Sequence, residues 1–202
     1  MAEAVAKKIG FVERALRIEE KEHGLSDLRL ASLLAHLADA HGAQGDFVGQ
    51  RALLERCLAI ESEHHGKTHF KVATTLASLG NVFGSLGDSA KHVELLEQAL
   101  ELKIAHYGDG DVQIGVTLTN LGLAHGKAHD LEKKDAFLKR ALAIFLLHLK
   151  EDHPYVKTAR ANLTMGRSPV DLQGCEPLDP DVESPFVGQG GRNGGGRGEG
   201  KR

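Results

Sequence analysis

Leucine, isoleucine and alanine recur along most of this chain at spacings of three and four, which is the spacing of one face of an α-helix. Leu30, Leu34, Leu37, Ala38 and His41 form one such stripe. Val72, Leu76, Leu79, Gly80 and Phe83 form a second, 42 residues on, and Ile114, Leu118, Leu121, Gly122 and His125 form a third after the same interval. A different stripe lies between them. Glu13-Arg14-Ala15-Leu16-Arg17-Ile18 returns as Glu55-Arg56-Cys57-Leu58-Ala59-Ile60, as Glu97-Gln98-Ala99-Leu100-Glu101-Leu102 and as Lys139-Arg140-Ala141-Leu142-Ala143-Ile144. Two helices per period are therefore predicted. The first runs from about Leu28 to Ala43. The second runs from about Phe47 to His65, with Leu53, Leu54, Cys57, Leu58 and Ile60 facing inward.

The punctuation agrees with the stripes. Gly45-Asp46, Gly87-Asp88 and His129-Asp130 separate the two helices, and each Asp suits the N-cap, where its carboxylate takes up free amide protons of the first turn. Gly24, Gly66 and Gly108 follow the second helices, as a residue just past a helix end often does. Lys150 holds that slot in the last copy. A fixed period of this length marks a repeat array, in which each unit buries its apolar face against its neighbours.

The predicted organisation is all-α over residues 1–166. Repeats span about 28–66, 70–108 and 112–150. A second-type helix at 4–23 stands without a first-type partner, and Phe11, Leu16 and Ile18 are expected to be exposed on it, so self-association through this helix is one expectation. A capping helix is expected at 155–165, with Asn162 and Leu163 in phase but Arg160 in the Leu34/Leu76/Leu118 slot. Residues 167–202 hold nine Gly and four of the five Pro, a composition that predicts a disordered tail.

Composition narrows the function. Hydrophobic residues make up 41% of the 202, aromatics 4%, and Trp is absent, which suits Leu/Ala-rich helices packed on helices. A net charge of −3 gives no bulk attraction to nucleic acid or to an anionic membrane. Cys57 takes the slot of Ala15, Ala99 and Ala141, so it reads as a small buried residue, and with Cys175 it makes no disulfide framework. No secretory leader is legible near Met1, and no run reaches the ~18 apolar residues of a spanning helix. A soluble cytoplasmic protein is expected.

Candidate chemistry is sparse. Twelve histidines include the cluster His64, His65 and His69, but His64, His106 and His148 are 42 apart, as are His23 and His65. They are copies of one template without HExxH or Cys-x-x-Cys spacing, so no metal or other cofactor is expected. Ser85, Ser89 and Thr75 sit in no nucleophile signature, and Gly108-Asp109-Gly110-Asp111 is too short for a calcium or phosphate loop. An enzyme is not expected. In the tail, Gly190-Gly191-Arg192 and Gly196-Arg197-Gly198 faintly resemble Arg/Gly-rich RNA-binding segments, which leaves an RNA-associated protein as the alternative. Ser168-Pro169 and Ser184-Pro185 are candidate phosphorylation sites.

Paired helices with Leu-x-x-Leu-small near the end of the first resemble the tetratricopeptide repeat. The 42-residue period, the string Leu54-Glu55-Arg56-Cys57-Leu58-Ala59-Ile60 and the following His64-His65-Gly66-Lys67-Thr68-His69 are similar to its kinesin-light-chain subtype. The resemblance covers about residues 4–165. It implies a right-handed superhelical solenoid and a non-enzymatic scaffold whose first helices line a concave groove for a peptide segment of a protein partner. The groove positions it implies are Ser32, His36 and Asp39; Thr74, Ser78 and Asn81; Val116, Asn120, Leu123 and Lys127; and Asn162. An Asn at position 120 holds the peptide backbone in relatives. A groove gripping a C-terminal carboxylate needs several cations in this row, and Lys127 stands there without another. Two departures bear on packing. Gln50, His92 and Lys134 replace the usual Ala near the start of the second helix, and His41 and His125 replace the aromatic represented by Phe83. Looser packing within each unit is expected, with His41 and His125 as polar fillers of the groove.

Overall fold

Every helix after the first is started by a side chain that accepts an amide proton its first turn cannot place internally. The computed structural model describes residues 2–165, and the expectations for 167–202 and for Cys175 lie outside them. Among the described residues it contains eight α-helices and no strand: α1 (Ala2–His23), α2 (Leu28–Ala43), α3 (Phe47–His65), α4 (Phe70–Ser85), α5 (Ser89–Tyr107), α6 (Val112–Lys127), α7 (Leu131–His148) and α8 (Pro154–Thr164). Asp46, Asp88 and Asp130 cap α3, α5 and α7, accepting from the amides of Gly49, Lys91 and Lys133 at 2.9–3.1 Å.

A second row of caps, which the sequence reading passed over, lies at Asp27, His69, Asp111 and His153. These accept from the amides of Arg29, Lys71, Gln113 and Tyr155. Aspartate and histidine alternate along this row at the 42-residue period. The histidine caps work through Nδ1, so they hold the helix start only while the ring is neutral. Gly66 and Gly108 end α3 and α5 at φ 84° and 81°, a region that a side chain would strain.

Each helix packs on the one before it and the one after it, giving hairpins α2–α3, α4–α5 and α6–α7, with α1 against α2 and α8 against α7. The predicted stripes supply the core: Leu30, Leu34, Leu37 and Ala38 are buried, as are Val72, Leu76 and Leu79, and Ile114, Leu118 and Leu121. On the second helices Leu54, Cys57 and Ile60 are buried, whereas Leu53 and Leu58 are half-buried. Two charged residues are buried at the seams between hairpins. Thr75 Oγ1 donates to Glu61 Oε2 at 2.6 Å, and one period on, Lys103 Nζ donates to Thr117 Oγ1 at 3.1 Å. Burial holds the Lys103 ammonium below its ordinary pKa and pushes the Cys57 thiol up to about 11, so that thiol is no nucleophile near neutral pH.

Two expectations are corrected. Leu16 is not exposed: it is 7% accessible and packs with Leu30 and Leu34, leaving Phe11 and Ile18 open. Packing within the units is not loosened either. Opposite Gln50, His92 and Lys134 the first helices carry Gly42, Gly84 and Gly126, eight residues earlier each time. A Cβ on Gly42 would lie 2.6 Å from Gln50 Nε2, one on Gly84 would fall into the His92 ring, and one on Gly126 would lie 3.0 Å from Lys134 Cδ. The volume missing from one helix has moved to its partner. Among the described residues, no helix is long and apolar enough to cross a membrane.

Gly84→Ala tests this exchange because two effects oppose. Alanine in a helix interior gains about 0.5–1 kcal/mol over glycine, but forcing a methyl into the His92 ring costs about 1–3 kcal/mol. The single variant should lose stability in denaturant unfolding, and Gly84→Ala with His92→Ala should recover it. A stable single variant refutes the exchange.

Candidate functional site

The first helices carry their outward residues in rows at the repeat period. Two clefts open along them. The larger, about 520 Å³, lies across α4, α6 and α8, with α5 and α7 beneath; Asn81, Ser85, Asn120, Leu123, Lys127, Asn162 and Met165 line it from the first helices. The smaller, about 330 Å³, lies across α2 and α4 and is lined by Asp39, Ser78, Asn81, Val82 and Ser85, with Phe47 and Gln50 from α3. Asn81 belongs to both, so the two clefts share an edge.

The structure thus brings together Asn81, Asn120, Leu123, Lys127 and Asn162 in one cleft, and Asp39, Ser78 and Asn81 in the other. The remaining predicted positions lie off both. His36 Nδ1 is 2.6 Å from the Ser32 carbonyl, Ser32 Oγ donates to the Arg29 carbonyl, and Thr74 Oγ1 donates to the Phe70 carbonyl. Val116 is half-buried against the main apolar cluster.

Sequence reasoning missed the second-helix residues of these clefts. Gln50 lines the smaller one, and His92 and Lys134 line the larger. Gly42, Gly84 and Gly126 are the reason. Because those positions carry no side chain, a long residue on the helix beneath reaches past the first helix to the concave side. The signal was present as a glycine and a long polar residue eight apart in every unit, but it reads as a packing defect until both helices are in place.

His92 is 4% accessible, with Nε2 3.3 Å from Asn81 Oδ1 and Nδ1 buried without a hydrogen-bond partner. A neutral ring donating from Nε2 to the Asn81 carboxamide oxygen fits that arrangement. Lys134 Nζ donates to the Met165 carbonyl at 2.6 Å and ties the start of α7 to the end of α8. Lys127 Nζ reaches the Gly84 carbonyl at 3.5 Å. The larger cleft is lined by two lysines and no carboxylate, whereas the smaller holds Asp39 and no lysine.

His41 and His125 do not fill the groove. His41 Nδ1 sits 2.8 Å from Asp46 Oδ2, while His125 is 8% accessible and stacks on Phe137 at 5.4 Å between ring centres, 3.7 Å from Asp130. Both brace the capping aspartate of their own hairpin turn. Three further histidines meet groups of a neighbouring helix or turn: His64 Nε2 lies 2.7 Å from the Ser26 carbonyl, His148 Nε2 lies 2.9 Å from the Gly110 carbonyl, and His106 stacks on Phe70. Among the described residues no group of three or more His, Cys, Asp or Glu side chains is placed to hold a metal ion. Asp109 pairs with Arg140 and Asp111 caps α6, which accounts for the Gly-Asp-Gly-Asp turn.

Helical hairpins stacked in a row, with their first helices presenting a continuous polar and apolar groove, define a repeat solenoid of the protein-interaction class. The sequence matches the tetratricopeptide repeat over residues 30–70, 72–112 and 115–155. The chain belongs to the tetratricopeptide repeat family. Among curated proteins none matches it. Its fold is similar to that of a Podosopora anserina protein with nearly identical TPR-like repeats, described as a kinesin light chain, at TM-score 0.67 and 20% identity, over 79% of this chain and 76% of that one. It is also similar to BtubC (BKLC) from P. vanneervenii, at TM-score 0.64 and 21% identity, over 92% of this chain and 64% of that one. Its repeats are thus kinesin-light-chain-like in fold.

The buried histidines set a pH response. Burial, helped by Lys127 at His92 and by Lys133 at His125, holds both below the ordinary 6.5, and His69 is lowered too, by burial and then by His65. The unfolded chain therefore takes up these protons first as pH falls. The stability they contribute is complete above about pH 7 and is lost as pH drops through 6.5 towards the lower folded values. The thermal midpoint should fall between pH 7 and 5, with a shallower fall in His92→Gln, which borrows the Gln50 solution. An unchanged slope in that variant counts against the assignment.

Proposed function

We propose that the chain is a non-enzymatic cytoplasmic scaffold that holds an extended segment of a partner protein along α4, α6 and α8. The observation that carries this reading is the larger cleft, where Asn81, Asn120 and Asn162 come together with the apolar Leu123, Leu131 and Met165. A carboxamide both donates and accepts, so it suits the alternating N–H and C=O groups of an extended backbone. The leucines and Met165 give apolar side chains of the segment a seat, and Met adapts its shape to them. Lys127 and Lys134 favour a segment that carries negative charge there. Asp39, Ser78 and Asn81 extend the track towards α2. The buried free thiol of Cys57 suits a reducing compartment.

Two substitutions separate binding from folding. Asn120→Ala should weaken capture of a partner segment about tenfold, as loss of a paired amide does, while leaving the thermal midpoint close to wild type. Leu121→Ala, beside it on the buried stripe, should cost about 2–5 kcal/mol of stability. Titration of a retained peptide by calorimetry, with melting curves alongside, checks both. Equal loss of binding and of midpoint in Asn120→Ala overturns the groove role.

A further inference from the structure

We propose that the joint between the hairpins α2–α3 and α4–α5 is a pH-sensitive latch, closed while the His69 ring is neutral and loosened when it takes up a proton. The smaller cleft spans this joint, with Asp39 on α2 and Ser78 and Asn81 on α4. The bearing of the latch on a bound segment rests on the groove reading, whereas the latch itself is tested without a ligand.

At this joint the end of α3, the start of α4 and the end of α5 meet through their rings. His65 stacks on His69, His69 leans on Phe70 and Phe70 stacks on His106, with ring centres 4.4–4.5 Å apart. Tyr107 closes the row edge-on against His106. His69 also starts α4, since its Nδ1 accepts the Lys71 amide at 3.3 Å. One side chain thus caps a helix and joins it to the hairpin before it.

The neighbouring joints are built otherwise from the same template. One period back and one period on, the cap is Asp27 or Asp111, and Leu28 or Val112 follows in place of Phe70. There the histidine near the end of the second helix holds the turn by a hydrogen bond, His64 at the Ser26 carbonyl and His148 at the Gly110 carbonyl. His106 has the same slot but stacks on Phe70. The middle joint has exchanged a carboxylate cap for an imidazole. An aspartate keeps its charge well below the pH at which imidazole titrates.

A proton on His69 breaks the latch in three ways. It enters at Nδ1, the acceptor atom, which then has no lone pair for the Lys71 amide. It sets a cation at a helix N-terminus, where the dipole opposes it. It also faces Lys71 on α4 and, once they are protonated, His65 on α3 and His106 on α5, against the Glu61 carboxylate on α3. Burial, then these cationic neighbours, hold the His69 pKa below the ordinary 6.5. The latch is therefore closed above about pH 7 and loosens as pH falls from 6.5 through the lower folded value.

Hydrogen–deuterium exchange on the full chain at about pH 7 and about pH 5, corrected for the chemical exchange rate, tests the latch. Residues 70–77 of α4 should exchange about fivefold to tenfold faster at the lower pH, as the loss of one cap allows. Residues 112–119, which hold the same place in α6 behind Asp111, should change less than about twofold. His69→Asp copies the cap of the neighbouring units and should remove the pH effect. His69→Asn, whose side-chain oxygen accepts without a charge, should do the same. Equal exchange of residues 70–77 at the two pH values, an equal rise in residues 112–119, or a pH effect that survives in either variant would each overturn the proposal.

Discussion

The whole array depends on how closely the two helices of a hairpin approach each other. Where they cross, the first helix carries Ala38, Gly80 or Gly122. A Cβ on Gly80 would lie 3.2 Å from the His92 carbonyl oxygen, and one on Gly122 would lie 3.1 Å from that of Lys134. At such separations, backbone stands where side chain would otherwise be, and interiors packed to crystal density do not absorb a methyl cheaply. Because each helix leans on its chain neighbours and little else, a lost approach in one hairpin is not shared out among distant contacts.

The fold was nearly all legible. Helix number, order and buried stripes follow from two interleaved patterns at spacings of three and four, and the stops follow from Gly66 and Gly108. Reading one helix at a time produced the errors. Leu16 reads as exposed because its helix has no hairpin partner, but a second-type helix also packs on the next unit, and Leu16 points that way. His41 and His125 read as groove fillers because they stand in the slot of Phe83, although each has a capping aspartate five residues on that draws the ring into the turn. The site was half legible. Rows of first-helix residues can be counted off a period, but the reach of Gln50, His92 and Lys134 depends on what the facing helix leaves out. Pairs across two helices carry no periodic signature of their own.

The groove changes character along its length. Asp39, Ser78 and Asn81 line the stretch over α2 and α4, while Lys127, Lys134, Leu123 and Met165 line the stretch over α6 and α8. A segment held as proposed would meet unlike ends and so have a preferred direction. In that proposal the gradient would set orientation, since carboxamides read backbone in either sense. Lys134 also fastens the last helix by taking its terminal carbonyl, so the wall of the larger cleft is held by a residue that lines it.

The seams between hairpins settle how freely such an array can diverge. At equivalent places one seam buries a carboxylate and the next an ammonium, yet both lean on a threonine. A hydroxyl donates to Glu61 and accepts from Lys103 with the same atom, turning its proton to suit. The joint is therefore indifferent to polarity: duplicated copies of a unit can drift to opposite sign at this place without a matching change across the joint, provided that the hydroxyl stays.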